Sequence, residues 1–228
     1  MSTLAIIPAR GGSKGIPRKN LMPVAGRPLI AWTIEQALAA RHVDRTIVST
    51  DCEEIAAVAS DCGAEVPFLR PAAFATDQAS TESVLLHALE TLDASGYQPE
   101  LVVLLQATCP VRRPGRIDAA IARLREAGAD SLVSVREIHP FLWRNPDRAT
   151  ATYDYTRRPR RQDLREEERL FEENGSIYVT RTHTLRTLGN RLGGHIALFP
   201  MDRSESVDID TADDVRLAEK LLQDFNLQ

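Results

Sequence analysis

Apolar runs of strand length alternate with amphipathic stretches of helix length from the start of the chain to about residue 135. Residues 4–8, 45–49, 65–69, 101–105 and 131–135 read as strands. Between them, residues 28–40, 53–61, 80–92 and 115–126 read as helices, the first opening on Pro28, where a missing N–H costs nothing. This alternation predicts βαβ units feeding a parallel sheet, hence an α/β fold. The rhythm breaks across residues 137–173, where Pro140, Pro146, Pro159 and a dense charge run replace periodic apolar positions, and an insertion is expected there. The sheet then resumes with a strand at 176–180, a helix at 182–188 and a strand at 196–199. A last helix starts at about Ala212, with Thr211 as its cap and Asp214 as the reciprocal capping partner.

At 228 residues the chain fits one α/β domain, residues 1–228, carrying that insertion. A hydrophobic share of 43% with 26% charged residues excludes a collagenous, low-complexity or largely disordered chain. The net charge of −4 offers no global attraction to nucleic acid or to an anionic membrane, so any anion must be bound locally. No apolar run approaches the length of a membrane span, and no basic segment precedes the short apolar stretch at 4–7, so a cytoplasmic protein is expected. Cys52, Cys62 and Cys109 show no metal-ligand spacing and read as reduced thiols.

The first strand runs into Pro8-Ala-Arg-Gly-Gly-Ser-Lys-Gly-Ile-Pro-Arg-Lys-Asn20. Gly11, Gly12 and Ser13 let backbone N–H groups approach oxygen atoms closely, while Arg10, Lys14, Arg18 and Lys19 supply charge, a combination suited to wrapping a polyphosphate. The spacing matches neither common phosphate-binding glycine motif, and a solvated connection is the bland alternative. Its place at the carboxyl end of a strand, where open α/β sheets bind ligands, favours function. Asp208 and Asp210 flank Ile209, so on extended backbone both carboxylates point to one side. A hard cation such as Mg²⁺ between them relieves their repulsion, the alternative being a solvated acid pair before a capped helix. Asp213 and Asp214 read as first-turn acids suited to the helix dipole. His87 and His139 have no partner at metal or triad spacing and read as structural.

The chain resembles the N-acylneuraminate type of cytidylyltransferase, the family that makes CMP-sialic acid and related CMP-activated nonulosonic acids. The resemblance rests on Arg10-Gly-Gly-Ser-Lys-Gly-Ile-Pro-Arg-Lys-Asn20, Ile47-Val-Ser-Thr-Asp51, Leu69-Arg-Pro71, Leu104-Leu-Gln106, Arg158-Pro-Arg-Arg-Gln-Asp163, Glu173-Asn-Gly-Ser-Ile-Tyr178 and Ser206-Val-Asp-Ile-Asp210. It implies a Rossmann-like nucleotidyltransferase domain with a mainly parallel central sheet, a dimerisation insertion and a homodimer. It also implies that Arg10, Lys14, Lys19 and Asn20 hold the triphosphate of CTP, and that Arg70 and Ser80 lie around the nucleotide. Ser80 is equally a plausible helix cap. Gln106, at a strand's carboxyl end, and Asn174, in what reads first as an Asn-Gly turn, border the sugar site by the same resemblance. The usual Gln-Pro-Thr-Ser-Pro-Leu-Arg of the family is departed from at Ala107, Cys109 and Val111.

Residues 157–173 carry six arginines and six acids, so their charges cancel and an exposed, salt-bridged lid or helix is the default. Within it Arg160 and Arg161 match the family's arginine-rich motif, and one of them can pair with an acceptor carboxylate or developing phosphate charge. The leading expectation is CTP plus a nonulosonic acid, N-acetylneuraminate or a close relative, giving the CMP-sugar and pyrophosphate with Mg²⁺ on Asp208 and Asp210. Two alternatives use the same residues: a glycosyltransferase with Asp208-Ile-Asp210 as its D-x-D metal site, and a nucleotide-binding regulator without turnover.

Overall fold

The computed structural model describes residues 2–13 and 15–226. Lys14, assigned above to the triphosphate loop, lies outside the described residues. Among the described residues ten strands form: β1 Thr3–Pro8, β2 Pro23–Val24, β3 Arg27–Pro28, β4 Arg45–Ser49, β5 Leu101–Leu105, β6 Ser131–Ile138, β7 Trp143–Arg144, β8 Thr150–Ala151, β9 Leu170–Arg181 and β10 Ile196–Pro200. The helices are α1 Leu29–Leu38, α2 Glu53–Asp61, α3 Thr81–Asp93, α4 Arg116–Glu126, α5 Thr182–Leu188 and α6 Ala212–Asn226.

Six strands make one sheet in the order β10-β6-β9-β5-β1-β4. All pairs are parallel except those of β9, which runs antiparallel between β5 and β6. Strand β1 shows why the layers form as they do. Ala5 and Ile7 face a core that includes Ile30 and Ile34 of α1 and Ile117 and Ile121 of α4, while Leu4 and Ile6 face Leu85 and Leu89 of α3. A strand covered on both faces needs apolar residues at every position, which is why the central strands read as unbroken aliphatic runs. A third cluster joins Val24, Leu29 and Trp32 to Val207, Ile209 and Ala218, clamping α6 and the segment before it over the sheet edge.

Three features depart from the sequence expectation. The strand expected at 65–69 is reduced to isolated bridges, Ile47 to Glu65 and Thr50 to Leu69, with Pro67, which has no N–H to give a ladder, between them. The expected insertion is bounded by extensions of β6 and β9 that pair with each other from Val135 and Glu173 to Ile138 and Leu170, and Arg136 grips Glu172 at 2.5 Å across them. The remainder is a small ribbon of β7 and β8 followed by short 3-10 turns rather than a helix. Finally, Asn174-Gly175 is not a turn before a strand: β9 runs through it and the pairing shifts between Val133 and Val135, so this dipeptide forms a bulge inside β9, with Gly175 at φ 69.

Candidate active site

The carboxyl ends of β1, β4 and β5 share one edge of the sheet with the β9 bulge. The loop after β1 is held there from several directions. Gly11 N donates to Asp51 Oδ1 at 3.0 Å, just beyond β4. A Cβ at Gly11 would lie 3.0 Å from Cys52 Cβ, so only glycine lets the loop sit this close. Buried Asn20 donates from Nδ2 to Arg10 O at 3.1 Å and ties the two ends of the loop together. Arg18 takes a left-handed conformation at φ 54, and the chain turns into a short 3-10 segment that sends Lys19 inward. Lys19 Nζ then donates to Ile209 O at 2.6 Å and Asp210 Oδ1 at 3.0 Å.

The acids stand on extended backbone as their spacing requires: Val207 and Ile209 are buried, Asp208 and Asp210 exposed. The Ile209 N–H bonds Thr108 O at 2.9 Å, stitching this segment to the loop after β5. Asp214 does more than suit a helix dipole, since its Oδ2 accepts from the N–H groups of Asp210 and Thr211 at 3.1 and 2.7 Å. The surrounding protein pushes the Asp208 carboxyl above its ordinary pKa against the opposing Thr108 hydroxyl, with Asp210 adding to the rise and Lys19 resisting it. Two hard oxygen donors on one side of an extended strand suit a divalent ion that takes its remaining ligands from phosphate and water. Among the described residues no group of three or more His, Cys, Asp or Glu side chains is arranged to hold a metal alone.

Two adjoining cavities meet at Pro8 and Arg10. One of about 310 Å³ is lined by Ser13, Gly15, Lys19, Asn20, Thr108 and Asp210. The other, of about 300 Å³, is lined by Arg70, Phe74, Asp77 and Ser80. Between them Arg10 pairs with Asp77 at 2.8 Å. Buried Arg70 lies 3.6 Å from Asp51, and its burial lowers its pKa while Asp51 opposes. Ser80 accepts from Ser83 N at 3.1 Å as the cap of α3, the structural role foreseen for it, while also lining the cavity. A third cavity of about 540 Å³ opens beside Asp208 and contains Arg136 and Arg203.

The site's remaining expected residues divide. Gln106 packs against the β9 bulge, its Oε1 lying 3.2 Å from where a Cβ at Gly175 would stand. Asn174 is spent internally: its Oδ1 accepts from Ser134 Oγ and Ser176 N, and its Nδ2 donates to Ser206 Oγ. Arg160 and Arg161 are exposed on the 137–173 insertion, hereafter the arm, paired with Asp163 at 2.7 Å and Glu137 at 3.7 Å, and the fold does not gather them with Lys19 and Asp210. Asp51 and Thr108 join the site without having been given a role from sequence: Asp51 closes the Ile47–Asp51 segment, and both lie in the first few residues after a strand, β4 and β5 respectively. Cys109 is buried, its thiol pushed up to about 12 by burial and by the Asp208 charge. Thiol titration of the native protein at neutral pH is therefore expected to find Cys52 and Cys62 reactive and Cys109 silent until unfolding.

The chain matches the cytidylyltransferase family over residues 4–226. It is 32% identical to the pseudaminic acid cytidylyltransferase of Campylobacter jejuni, covering 99% of this chain and 98% of that one. The chain belongs to the cytidylyltransferase family. Within it, a CMP-N,N'-diacetyllegionaminic acid synthase of Legionella pneumophila is 36% identical, covering 98% of this chain and 97% of that one. The fold is also that of a CMP:2-keto-3-deoxy-manno-octonic acid synthetase solved with CTP, at a TM-score of 0.73 and 18% identity over 98% of this cytidylyltransferase and 99% of that chain. The chain is thus an enzyme of the acylneuraminate type of cytidylyltransferase, which sets aside the glycosyltransferase and non-catalytic readings of Asp208-Ile-Asp210. Among the described residues, no helix is long and apolar enough to cross a membrane.

Proposed function

We propose that this cytidylyltransferase activates a nonulosonic acid with CTP: the sugar's anomeric hydroxyl attacks the α-phosphorus, the bond to the β-phosphate oxygen breaks, and CMP-sugar and pyrophosphate leave. The observation that carries this reading is the clamp of Lys19 on Ile209 O and Asp210, which brings a polyphosphate-binding loop and a paired-acid segment together at one sheet edge. Arg10, Lys14 and Lys19 neutralise the triphosphate, Gly11, Gly12 and Ser13 offer backbone N–H groups, and Asn20 keeps the loop closed. Arg70 and Ser80 border the cytosine. Gln106 meets the acid's hydroxyls, Asn174 holds the bulge beside them, and Arg160 or Arg161 orients the acid's carboxylate. Asp208 and Asp210 are the residues to hold Mg²⁺, which as a Lewis acid stabilises charge developing on the phosphate oxygens. Catalysis by the chain itself is positioning and charge neutralisation, with no nucleophilic side chain required.

Arg160 and Arg161 reach a reaction centre most simply from a second copy, and the arm supports a homodimer. Leu142, Trp143, Tyr155, Leu170 and Phe171 are exposed large apolar side chains concentrated on it. Light scattering is expected to give twice the chain mass of 25.3 kDa; a concentration-independent monomer removes this part of the proposal.

Gly11→Ala is expected to weaken CTP binding about tenfold by forcing the loop off Cys52, measured by calorimetric titration, with little change in thermal stability. The acceptor itself is resolved by comparing kcat/KM for N-acetylneuraminate, pseudaminic acid and N,N'-diacetyllegionaminic acid. One acid is expected to exceed the others by about tenfold or more, because a single substituent that fits or misfits a substrate pocket changes the barrier by about 1–3 kcal/mol. Absence of CMP-ester from every one of the three would count against the proposed substrate class.

A further inference from the structure

A cavity of about 280 Å³ lies between α1, the 112–117 segment and the end of α6, and shares no lining residue with the three cavities around the 10–20 loop and the paired acids. Its walls include Trp32, Ala39, Leu222 and Phe225, and the charged side chains that line it are Arg112, Arg113 and Arg116 against the single acid Glu35. Helix α4 starts at its edge on Gly115, at φ 79, with no side chain capping the first turn.

Arg112 is the unusual member. It is only 4% exposed, yet its guanidinium contacts neutral oxygens alone: Thr33 Oγ1 at 3.1 Å, Gln36 Oε1 at 2.9 Å, Gln106 O at 3.0 Å and Ser176 O at 2.9 Å. Its Nε has no hydrogen-bond partner among the described residues. The acids nearby are engaged elsewhere: Glu205 with Arg116, Asp202 with Arg113 at 2.9 Å, and Glu35 with Arg27 at 2.5 Å. Buried charges are ordinarily paired, and burial lowers the Arg112 pKa to about 10 while Cys109 and the more distant Glu205 charge oppose the fall. A buried guanidinium lacking a carboxylate partner, beside an apolar cavity with aromatic walls, is complementary to an anion that carries a flat apolar body.

We propose that this cavity is a second binding site, for a small aromatic anion such as an aryl carboxylate or aryl phosphate, its charge set against Arg112 and Arg113 and its ring between Trp32 and Phe225. The site is independent of CTP. Arg112 also pins the Gln106 and Ser176 carbonyls, so the ligand meets a residue tied directly to the catalytic edge.

The test is titration of the full chain with indole-3-acetate, phenyl phosphate and the neutral indole-3-acetamide, followed by calorimetry or ligand-observed NMR, with and without saturating CTP. Both anions are expected to bind, the amide about tenfold more weakly, and CTP to leave binding unchanged. Ala39 is exposed at the cavity wall, so Ala39→Trp fills the cavity without touching the core, and it is expected to abolish binding while the thermal midpoint stays within the usual range for a surface change. Failure of both anions to bind, equal binding of acid and amide, displacement by CTP, or undiminished binding to folded Ala39→Trp would each overturn the proposal.

Discussion

Asp210→Asn is expected to lower kcat with CTP by about 10²–10³-fold while leaving the protein folded. The side chain is exposed, and the local backbone is held by groups the substitution leaves intact: Asp214 still accepts from the residue-210 N–H at 3.1 Å, and Ile209 still donates to Thr108 O at 2.9 Å. What changes is charge. The amide removes one of the two hard anionic donors and leaves Lys19 facing a neutral group, so both the proposed Mg²⁺ site and the electrostatic closure of the triphosphate loop weaken together. Lys19→Ala separates these effects, since it keeps both carboxylates and is expected to raise KM for CTP more than it lowers kcat. Steady-state kinetics across a Mg²⁺ series reads both variants. Near-normal Mg²⁺-dependent turnover by Asp210→Asn would refute the role given to this carboxylate.

Glu205→Ala is the largest stability effect expected outside the apolar core, a loss of about 3 kcal/mol. Glu205 is fully buried before α6, accepting from Arg113 N at 2.9 Å and from Arg116 Nε and a terminal nitrogen at 2.8 and 2.5 Å. Truncation strands the Arg116 guanidinium, with Asp202 at 3.6 Å as its remaining acid among the described residues. For a chain of this size the midpoint of thermal unfolding should fall by about 6–10 °C. The same pair sets a pH dependence. Burial works against the Glu205 charge, but Arg116 and the Arg113 amide outweigh it and hold the carboxyl below its ordinary pKa. A folded-state pKa below the unfolded one means the stabilisation is complete above the ordinary carboxylate range and is lost as pH falls through the folded value. Wild type and Glu205→Gln should therefore differ most near neutrality and converge in acid, measured by urea unfolding from neutral to acidic pH. A pH-independent gap between them would show that the ion pair is not the source.

The parts of this fold that were legible are those where one local rule decides. Strands β4 and β5 and helices α2 and α5 fall where the pattern puts them, because buried parallel strands need continuous aliphatic residues and their crossovers need amphipathic ones. The Thr211–Asp214 cap is likewise a local exchange, with Thr211 N donating at 2.7 Å and Asp214 N returning at 3.3 Å. Strand β9 was half hidden. Its Leu-Phe-Glu-Glu start looks like part of the charged insertion, and only the partner strand β6, with Arg136 on Glu172, makes it a ladder. Its antiparallel direction leaves no trace in a hydrophobic pattern that is the same read either way.

The candidate site shows the same division. Period-two alternation alone predicted that Asp208 and Asp210 share a side, and glycine chemistry alone marked the loop after β1. Asp51 on Gly11, Arg112 on Thr33 and Glu205 on Arg116 join residues 40, 79 and 89 positions apart, and no local rule carries that information. The internal engagement of Asn174 was hidden for a related reason, since besides the nearby Ser176 its amide is held by Ser134 and Ser206, 40 and 32 positions away.

The most direct test of the account is a rapid-quench reaction of enzyme with CTP and Mg²⁺, run with and without a nonulosonic acid, in which pyrophosphate and the cytidine product are measured together. Direct attack by the sugar hydroxyl predicts equal amounts of pyrophosphate and CMP-sugar, formed only when the acid is present. A burst of pyrophosphate without acid would contradict the account, because it requires a cytidylylated enzyme, whereas the proposed mechanism uses no nucleophilic side chain.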